Sequence, residues 1–434
     1  MKKRYFAAAL LLATVYQVSV AQSGTNSPYS QFGLGILSDQ TSGFNRGMNG
    51  LGLGFREHNQ VNYLNPASYS SIDSLSFIFD AGISGQITNF KEGGTKLNAK
   101  NSNIEYVVAG FRAFRHVGVS FGIIPYTNTG YSYSTSQNVN DANNTVVTNT
   151  YNGSGGLHQI YVGVGWEPVK GLSVGVNGGY LFGGYTRTVV NSYSDSYANT
   201  LTKEYTSDVR NYKVDFGMQY VATINKKHQV TIGATYGMGH KIGGDPTLKL
   251  ISNNTQTAVA DTTVLTSDAL KLEIPTTIGV GLAYNYNNKL KVGVDYNFQK
   301  WGSIETPEYK LDTNGNATYD MVSGFYKDRH KLTAGADYCA AEYGRSFVKR
   351  IHYRAGVSYA TPYYIINGQD GPKEISASLG FGIPIVNSWN NRSMLNISAQ
   401  WVRQTAKSYI TENTFRINIG LTFNERWFAK WKVD

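Results

Sequence analysis

Alternation of apolar and polar residues is the feature of this sequence that most restricts its fold. In residues 291–300 and again in residues 415–423, every second side chain is apolar and its neighbours are polar or glycine. A period of two gives an extended strand one apolar and one polar face. No stretch after Ala21 holds 18 uninterrupted apolar residues, so no membrane-spanning helix is predicted.

Fourteen segments are predicted to be strands on these grounds. They lie near residues 75–88, 104–114, 117–126, 157–166, 172–190, 205–222, 228–240, 274–286, 289–300, 326–339, 350–360, 373–385, 393–405 and 412–423. Their number is even, as in most bacterial outer-membrane barrels.

The connections between these strands alternate in length. Tight turns follow the second, fourth, sixth and eighth strands, at residues 115–116, 167–171, 225–227 and 287–288. Longer polar tracts follow the first, third, fifth, seventh and ninth strands, at residues 89–103, 127–156, 191–204, 241–273 and 301–325. Outer-membrane barrels sort their loops in this way, with short periplasmic turns and long external loops. The sequence therefore predicts an all-β, transmembrane antiparallel β-barrel of about 14 strands.

Tryptophan positions agree with a barrel. Interfacial rings lie near the ends of membrane strands. Trp401 lies inside a predicted strand, whereas the other five tryptophans lie at or beyond strand ends: Trp166, Trp301, Trp389, Trp427 and Trp431.

The amino terminus predicts export. Three cations, Lys2, Lys3 and Arg4, precede a short apolar run, and Ser19 and Ala21 supply the small residues of a cleavage site. Residues 1–21 are therefore predicted to be a Sec signal peptide cleaved after Ala21. Export together with the predicted barrel places the protein in the cell outer membrane. The 434-residue chain has a single cysteine, 13% aromatic and 16% charged residues, which excludes a disulfide-stapled domain and a disordered chain.

The charge suits a lipid surface better than a nucleic acid. Loss of Lys2, Lys3 and Arg4 lowers the formal net charge from +10 to +7. This excess is spread along the chain without a basic stripe, so no nucleic-acid partner is predicted. Outer-membrane lipid and lipopolysaccharide are the expected surroundings.

Residues 22–73 lack the alternation and are rich in glycine. A dinucleotide or phosphate site is excluded, because no strand–helix–strand unit surrounds these glycines and the chain has no Gly-Lys pair. Glycine lets a backbone turn tightly in a crowded space. Residues 22–73 are therefore predicted to form a hatch, or plug, inside the lumen of a barrel made by residues 74–423. Residues 424–434 are predicted to be a periplasmic tail.

Short motifs occur in order along the mature chain. Asn65, Pro66 and Ala67 follow the glycine-rich stretch and precede the first strand; residues 274–276 and 294–296 precede Trp301, and residues 354–359 precede Pro362. Together they resemble the FadL/TodX-type outer-membrane transporters of hydrophobic compounds, whose hatch carries an Asn-Pro-Ala motif. The resemblance implies a fourteen-stranded barrel with an N-terminal hatch, and passive uptake with release through a kink in the third strand.

Pro125 lies on the third predicted strand. Proline cannot donate a hydrogen bond to the ladder, so a local break is expected there. The resemblance implies that the break opens a lateral path into the membrane. Alternatively, Pro125 simply ends the strand near the outer rim.

Six charged residues fall on the polar, lumen-facing side of the predicted strands: Lys213, Asp215, Asp295, Asp337, Arg354 and Arg416. Opposite charges in a lumen form structural ion pairs or take part in passage. Desolvating paired charges to admit a hydrocarbon would cost several kcal/mol, which argues against the function that the resemblance implies.

No enzymatic chemistry is predicted. The seven histidines form no His-x-x-x-His pair, and no serine lies in a nucleophile motif. Residues 312–323 superficially resemble a calcium loop, but Ala317 and Ser323 occupy the positions that need glycine and glutamate. Neither a cofactor nor a metal is expected.

Two main functions remain. The first is hatch-gated passive uptake of a hydrophobic small molecule, with possible lateral release, and it predicts a continuous apolar tunnel. The second is a non-transporting barrel that acts as a scaffold or cargo shuttle for other envelope proteins in outer-membrane secretion or assembly machinery of the type IX kind. A surface adhesin that uses residues 127–156 and 241–273 is a third hypothesis, but no binding motif supports it.

Overall fold

The structure is a computed structural model that describes residues 24–139, 144–254, 256–257, 259–342, 344–385, 393–425 and 427. The predicted signal peptide and most of the predicted tail lie outside the described residues. Within these ranges no helix is long and apolar enough to span a membrane.

Fourteen long strands form one antiparallel barrel in the described part of the chain. They are β1 (Phe77–Glu92), β2 (Thr95–Phe114), β3 (Val117–Asn138), β4 (Val146–Val169), β5 (Leu172–Tyr193), β6 (Thr200–Asn225), β7 (His228–Gly237), β8 (Thr276–Tyr286), β9 (Leu290–Lys300), β10 (Arg329–Cys339), β11 (His352–Ala360), β12 (Lys373–Ile385), β13 (Ser393–Thr405) and β14 (Thr411–Glu425). The barrel closes because β1 pairs with β14 from Phe77–Glu425 to Lys91–Thr411. Closure pairs the edges that a lipid-exposed sheet would leave open, and the barrel prediction is confirmed.

Side chains alternate across the wall as the period of two predicted. On β12, Ile375, Leu379 and Phe381 are exposed on the outside, whereas Ser376 and Ser378 are buried on the inside. An apolar exterior and a polar interior are typical of a barrel in lipid.

The strands differ greatly in length. The four strands β3–β6 have 22, 24, 22 and 26 residues, whereas β7–β11 have 9 to 11. Since about 9–11 residues cross a membrane, β3–β6 project beyond its outer face. The polar tracts 89–103, 127–156 and 191–204, expected to be loops, are therefore mostly strand, because neighbouring hairpins continue their ladders into solvent.

Short elements lie in the N-terminal segment, in the external connections and in the inner connection between β10 and β11. Two 3₁₀ turns span Pro28–Gln31 and Pro66–Ser71, and two helices of four residues are α1 (Gly43–Arg46) and α2 (Phe347–Arg350). The short strands are Ile36–Leu37, His240–Gly243, Thr247–Asn254, Val259–Leu265, Leu272–Ile274, Thr306–Leu311, Ala317–Val322, Ile365–Ile366 and Gln369–Asp370. Thr247–Asn254 pairs with β6, and Val259–Leu265 continues the external sheet.

The N-terminal segment contacts inward-facing residues on many sides of the barrel. Residues 41–72, here called the inner plug, bond to side chains of β2, β6, β9, β11, β12 and β14. A segment with wall partners in so many directions lies within the lumen.

Two inward-facing glycines show how closely the inner plug approaches the wall. A Cβ at Gly233 would lie 1.9 Å from the carbonyl oxygen of Leu53, and one at Gly356 would lie 2.3 Å from that of Met48. Any side chain larger than hydrogen would displace the plug backbone at these two positions.

Candidate functional site

Arg46 is the main cation of the inner plug and is buried. Its guanidinium donates to Glu105 of β2 at 2.8 Å, to the Asn418 side chain at 3.2 Å and to the Thr41 carbonyl at 3.0 Å. Ser84 donates a further hydrogen bond to Glu105. Buried charges persist when they are paired and hydrogen-bonded, and this pair joins the plug to the wall.

Asp295, predicted to face the lumen, lies there on β9 and is 1% exposed. One carboxylate oxygen accepts the backbone N–H groups of Gly52 and Leu53, at 2.7 and 2.9 Å. Asp295 therefore binds the plug backbone rather than lining an open passage.

Asp337 and Arg354 are adjacent on β10 and β11 and form a buried pair at 3.0 Å. His352 lies 2.8 Å from the same carboxylate, and Arg354 also donates to Asn396 at 2.6 Å. A Cβ at Gly47 of the plug would lie 3.0 Å from the Arg354 side chain. These charges are thus held in a compact network against the plug.

The remaining predicted lumen charges lie farther out. Lys213 and Asp215 form an ion pair with each other on β6. Arg416 donates to Asp39 at 3.3 Å, and Lys331 lies 3.4 Å from the same carboxylate. Each predicted lumen charge thus has a partner of opposite charge or a backbone N–H, and the structure brings them together only in these separate groups.

Asn65, Pro66 and Ala67 form the end of the plug that leads into the wall. The Asn65 amide donates to the Leu53 carbonyl at 2.9 Å and to that of Met218 on β6 at 3.2 Å. Its side-chain oxygen accepts the Ala67 N–H at 3.2 Å and so caps the turn Pro66–Ser71. The motif ties two parts of the plug to the barrel.

At the inner end of the barrel, His58 lies between two carboxylates, with Nδ1 2.9 Å from Asp73 and Nε2 3.4 Å from Glu342. Burial alone lowers the pKa of His58, but the hydrogen bonds to Asp73 and Glu342 outweigh it and raise the pKa to about 9.

The outer lumen is closed by a different kind of contact. An aromatic cluster, here called the outer cap, covers it. It contains Tyr29, Leu34, Tyr126, Leu157, Leu181, Val209, Ile242, Leu272, Ile274, Trp301, Ile304, Tyr326, Tyr363, Tyr364 and Ile366. Trp301 is fully buried in it, 4.7 Å from the Tyr363 ring centroid. The prediction that Trp301 is an interfacial ring is therefore wrong, because loop side chains fold over the lumen and enclose it.

Pro125 does not end its strand, since β3 continues to Asn138. The ladder between β3 and β4 shifts register between Pro125 and Thr127, and the ladder between β2 and β3 stops at the pair Val107–Ile123. Beyond this point the short strand Ile36–Leu37 pairs with Asn128 and Thr127 of β3. The N-terminal segment thus occupies the seam between β2 and β3, and a lateral path there stays a prediction.

The cavities in the described part of the lumen are small or polar. One of about 190 Å³ lies between the inner plug and the outer cap, lined in part by Asp39, Lys213, Asp215, Arg329 and Lys331. A second holds about 70 Å³. A vestibule of about 530 Å³ at the inner end is lined by the ion pairs Arg56–Glu167 and Lys291–Glu57. Charged side chains line all three spaces, unlike the apolar tunnel that uptake of a hydrophobic compound predicts.

No group of three metal-ligating side chains occurs among the described residues. The segment that superficially resembled a calcium loop includes the short strand Ala317–Val322 and the turn before it. In that turn Asp312 accepts the backbone N–H groups of Asn314 and Asn316 at 2.8 and 2.7 Å. This carboxylate is already used within its own turn.

Sequence reasoning missed Asp39, Arg46 and Glu105. Residues 22–73 hold few charged side chains, so each charge in a glycine-rich, buried segment needed a partner on the wall. The scarcity of charge was the available signal, although it does not identify the partner.

Comparison with known proteins gives a family and a fold. The sequence model of a family described as BamG matches residues 1–434. No curated protein sequence matches the chain.

Several solved structures with a similar fold are described as channels or transporters of hydrophobic compounds. The CymD monoaromatic hydrocarbon channel has a TM-score of 0.59 and 16% identity, over 90% of this chain and 98% of that one. The Ralstonia pickettii toluene transporter TbuX has a TM-score of 0.60 and 14% identity, over 89% of this chain and 99% of that one. A Pseudomonas aeruginosa FadL homologue has a TM-score of 0.58 and 14% identity, over 90% of this chain and 99% of that one. At these identities the likeness shows a FadL/TodX-type barrel fold, consistent with an outer-membrane location.

Proposed function

The chain belongs to the BamG family, and we propose that it acts as a closed outer-membrane barrel, a scaffold or cargo shuttle for other envelope proteins in secretion or assembly machinery. The observation that carries this proposal is the double closure of the lumen. The inner plug is held by the buried Arg46–Glu105 ion pair and by the hydrogen bonds of Gly52 and Leu53 to Asp295, and the outer cap is a packed aromatic cluster.

Passage of an apolar molecule would have to break this closure. A ligand crossing the inner half would separate Arg46 from Glu105, or Asp295 from the backbone of Gly52 and Leu53. Breaking a buried pair costs about 3–5 kcal/mol, because it leaves an uncompensated charge. The intermediate cavity of about 190 Å³ is smaller than the ~300 Å³ at which ligand pockets begin, and its lining is charged.

The external sheet supports a role in binding protein. Strands β3–β6 and Thr247–Asn254 extend this sheet above the membrane, and within the described residues the edge strand Val259–Leu265 pairs on one side only. An unpaired edge offers backbone N–H and C=O groups to a strand of another chain.

The test is extraction of the protein from native membranes in mild detergent, followed by identification of copurifying proteins and bound lipid-like molecules. A scaffold or shuttle should retain envelope proteins in fixed ratio, without a hydrophobic ligand in the lumen. A protein that runs alone with a bound apolar compound would contradict the proposal.

A second candidate is uptake of a hydrophobic compound with lateral release. Two observations favour it: the likeness in fold to hydrocarbon channels, and the seam beside Pro125, which is closed by only two ladder pairs of Ile36–Leu37 in the described chain. In this mechanism the N-terminal segment would leave β3 to open the seam.

A disulfide lock separates the two candidates. Leu37 and Thr127 are opposite residues on paired strands, at a separation that suits a disulfide. The variant L37C/T127C should keep its protein partners if the barrel is a scaffold. If it is a transporter, the oxidised lock should abolish uptake of labelled toluene or palmitate, and reduction should restore it. The control is L37S/T127S, and the native Cys339 is buried.

A further inference from the structure

A broad cleft of about 1110 Å³ lies on the outer rim of the barrel, outside the lumen. Its lining includes Tyr359 at the end of β11, Lys373 at the start of β12, and Lys407 after β13. The cleft is separate from the plug, since the inward-facing neighbour Ser376 contacts Asn49 on the other side of the wall.

The register places this cleft at the level of the outer lipid headgroups. The thirteen residues of β12 run from Lys373 to Ile385, and at about 3.3 Å per residue with a tilt of about 40° they span about 30 Å. This height matches the apolar thickness of a membrane. The outward side chains below Lys373 include Ile375, Leu379 and Phe381, all exposed as lipid-facing residues are.

Three exposed cations lie near this level: Lys373 and Lys407 line the cleft, and Arg403 lies beside it on the wall. Arg403 pairs in register with Ile375, and Thr405 pairs with Lys373, so Arg403 shares the outward face one row below Lys373. None of the three forms an ion pair with a described residue.

The acidic residues of the cleft are already occupied. Asp370 accepts two contacts from Lys327, at 2.8 and 2.9 Å, and Asp328 accepts the Gly302 N–H at 2.8 Å. Lys327 and the three exposed cations outnumber these two carboxylates, so a net positive charge faces outward beside lipid.

An exposed cation on another side of the barrel behaves differently. Arg210 on β6 is 73% exposed, but it pairs with Asp208 of its own strand at 3.0 Å. Its charge is balanced within the protein, which makes it a matched control for the three cations in the cleft.

We propose that this cleft binds the phosphorylated headgroup of an outer-leaflet glycolipid, with Lys373, Arg403 and Lys407 on the phosphates. Arginine and lysine are the side chains that best bind phosphate oxygens, and cations at a membrane surface recognise anionic headgroups. Ile375 and Trp401 lie just below on the same outer face, where they contact the acyl chains. The combination of cationic rim and apolar wall selects a membrane lipid over a soluble anion.

The experiment compares the full-length wild-type barrel with the variant K373Q/R403Q/K407Q. Each protein is purified in detergent, stripped of lipid, and titrated with diphosphorylated lipid A, with the same lipid after removal of its phosphates, and with inorganic phosphate alone. Native mass spectrometry measures the bound fraction. The triple variant should bind diphosphorylated lipid A at least about tenfold more weakly, whereas R210Q should bind as wild type does.

A charge-conserving variant, K373R/R403K/K407R, shows that any loss comes from charge rather than from misfolding, since it should keep most of the binding. Equal binding by wild type and triple variant overturns the proposal. So does equal binding of the lipid with and without phosphates. Equally tight binding of inorganic phosphate would identify a free-anion site and would reject the lipid as the ligand.

Discussion

In the inner half of the lumen the N-terminal segment is held by charges and hydrogen bonds, each with a named partner on the wall, such as Arg46 with Glu105 or Asp295 with Gly52. In the outer half the same segment is held mainly by aromatic and aliphatic packing, with Tyr29 and Leu34 set among rings from external loops. Both halves of the lumen are filled, but the polar contacts of the inner half fix the position of the N-terminal segment more precisely than the apolar contacts of the outer half.

The difference matters for how each half would open. An ion pair or hydrogen bond is directional and loses most of its energy when its partner is removed. Apolar packing is non-directional, and it tolerates changes that conserve volume. We therefore expect single substitutions in the inner plug to cause a large loss of stability. In the outer cap, the loss should increase gradually with the side-chain volume that a substitution removes.

The largest expected effect is at Arg46. The variant Arg46→Met leaves Glu105 buried without its cation and should lower the free energy of unfolding by about 3–5 kcal/mol, measured by urea titration in lipid vesicles. Arg210→Met removes an exposed pair as a control and should cost at most about 1 kcal/mol. Equal effects at the two sites would show that the inner plug is not held by its charges.

The next effect is at Leu34 in the outer cap, which is 3% exposed. Leu34→Ala should cost about 2–4 kcal/mol because it opens a cavity, whereas Leu34→Met should cost less than about 1.5 kcal/mol because it conserves volume. The same urea titration measures both, with Leu97→Ala at an exposed hairpin position as the control. If Leu34→Met is as damaging as Leu34→Ala, the outer cap is as specific as the inner plug.

Close approach of the plug to the wall gives the third effect. Gly233→Ala should cost about 1–3 kcal/mol, since its Cβ would lie 1.9 Å from the Leu53 carbonyl oxygen. Gly85→Ala is the control, because its Cβ would meet nothing within 4 Å. A neutral Gly233→Ala in urea titration would mean that the plug shifts freely against the wall.

The smallest expected effect is a pH dependence at His58. Its pKa is raised to about 9 in the folded protein, so its contacts with Asp73 and Glu342 stabilise fully below about pH 6.5 and are lost as the pH rises through about 9. Solvent screening limits the contribution to at most about 1 kcal/mol. The free energy of unfolding is measured for wild type and for His58→Gln at pH 6 and at pH 10. The difference between the two proteins should be smaller at pH 10, and an unchanged difference would contradict the assignment.

The barrel strands were predictable because their signal is local. On β12 and β14 the apolar residues recur every second position, and one face meets lipid while the other meets the polar lumen. The outer parts of β3 and β4 were not recognised as strands, because above the membrane neither face meets lipid. Thr148–Asn152 on β4 is strand without any apolar alternation, and only its pairing with β3 and β5 reveals it.

The sequence by itself determined the alternating strands and the alternation of short turns with long polar tracts. It also determined that charged side chains such as Asp295 and Arg354 face inward, because a period of two is read from neighbouring residues. Only the tertiary structure decided which groups meet across the lumen. Arg46 reaches Glu105, Asp39 reaches Arg416, and Trp301 turns inward instead of facing lipid. These pairings depend on the strand register and the curvature of a closed barrel, which bring together residues far apart in the chain, and no local pattern records them.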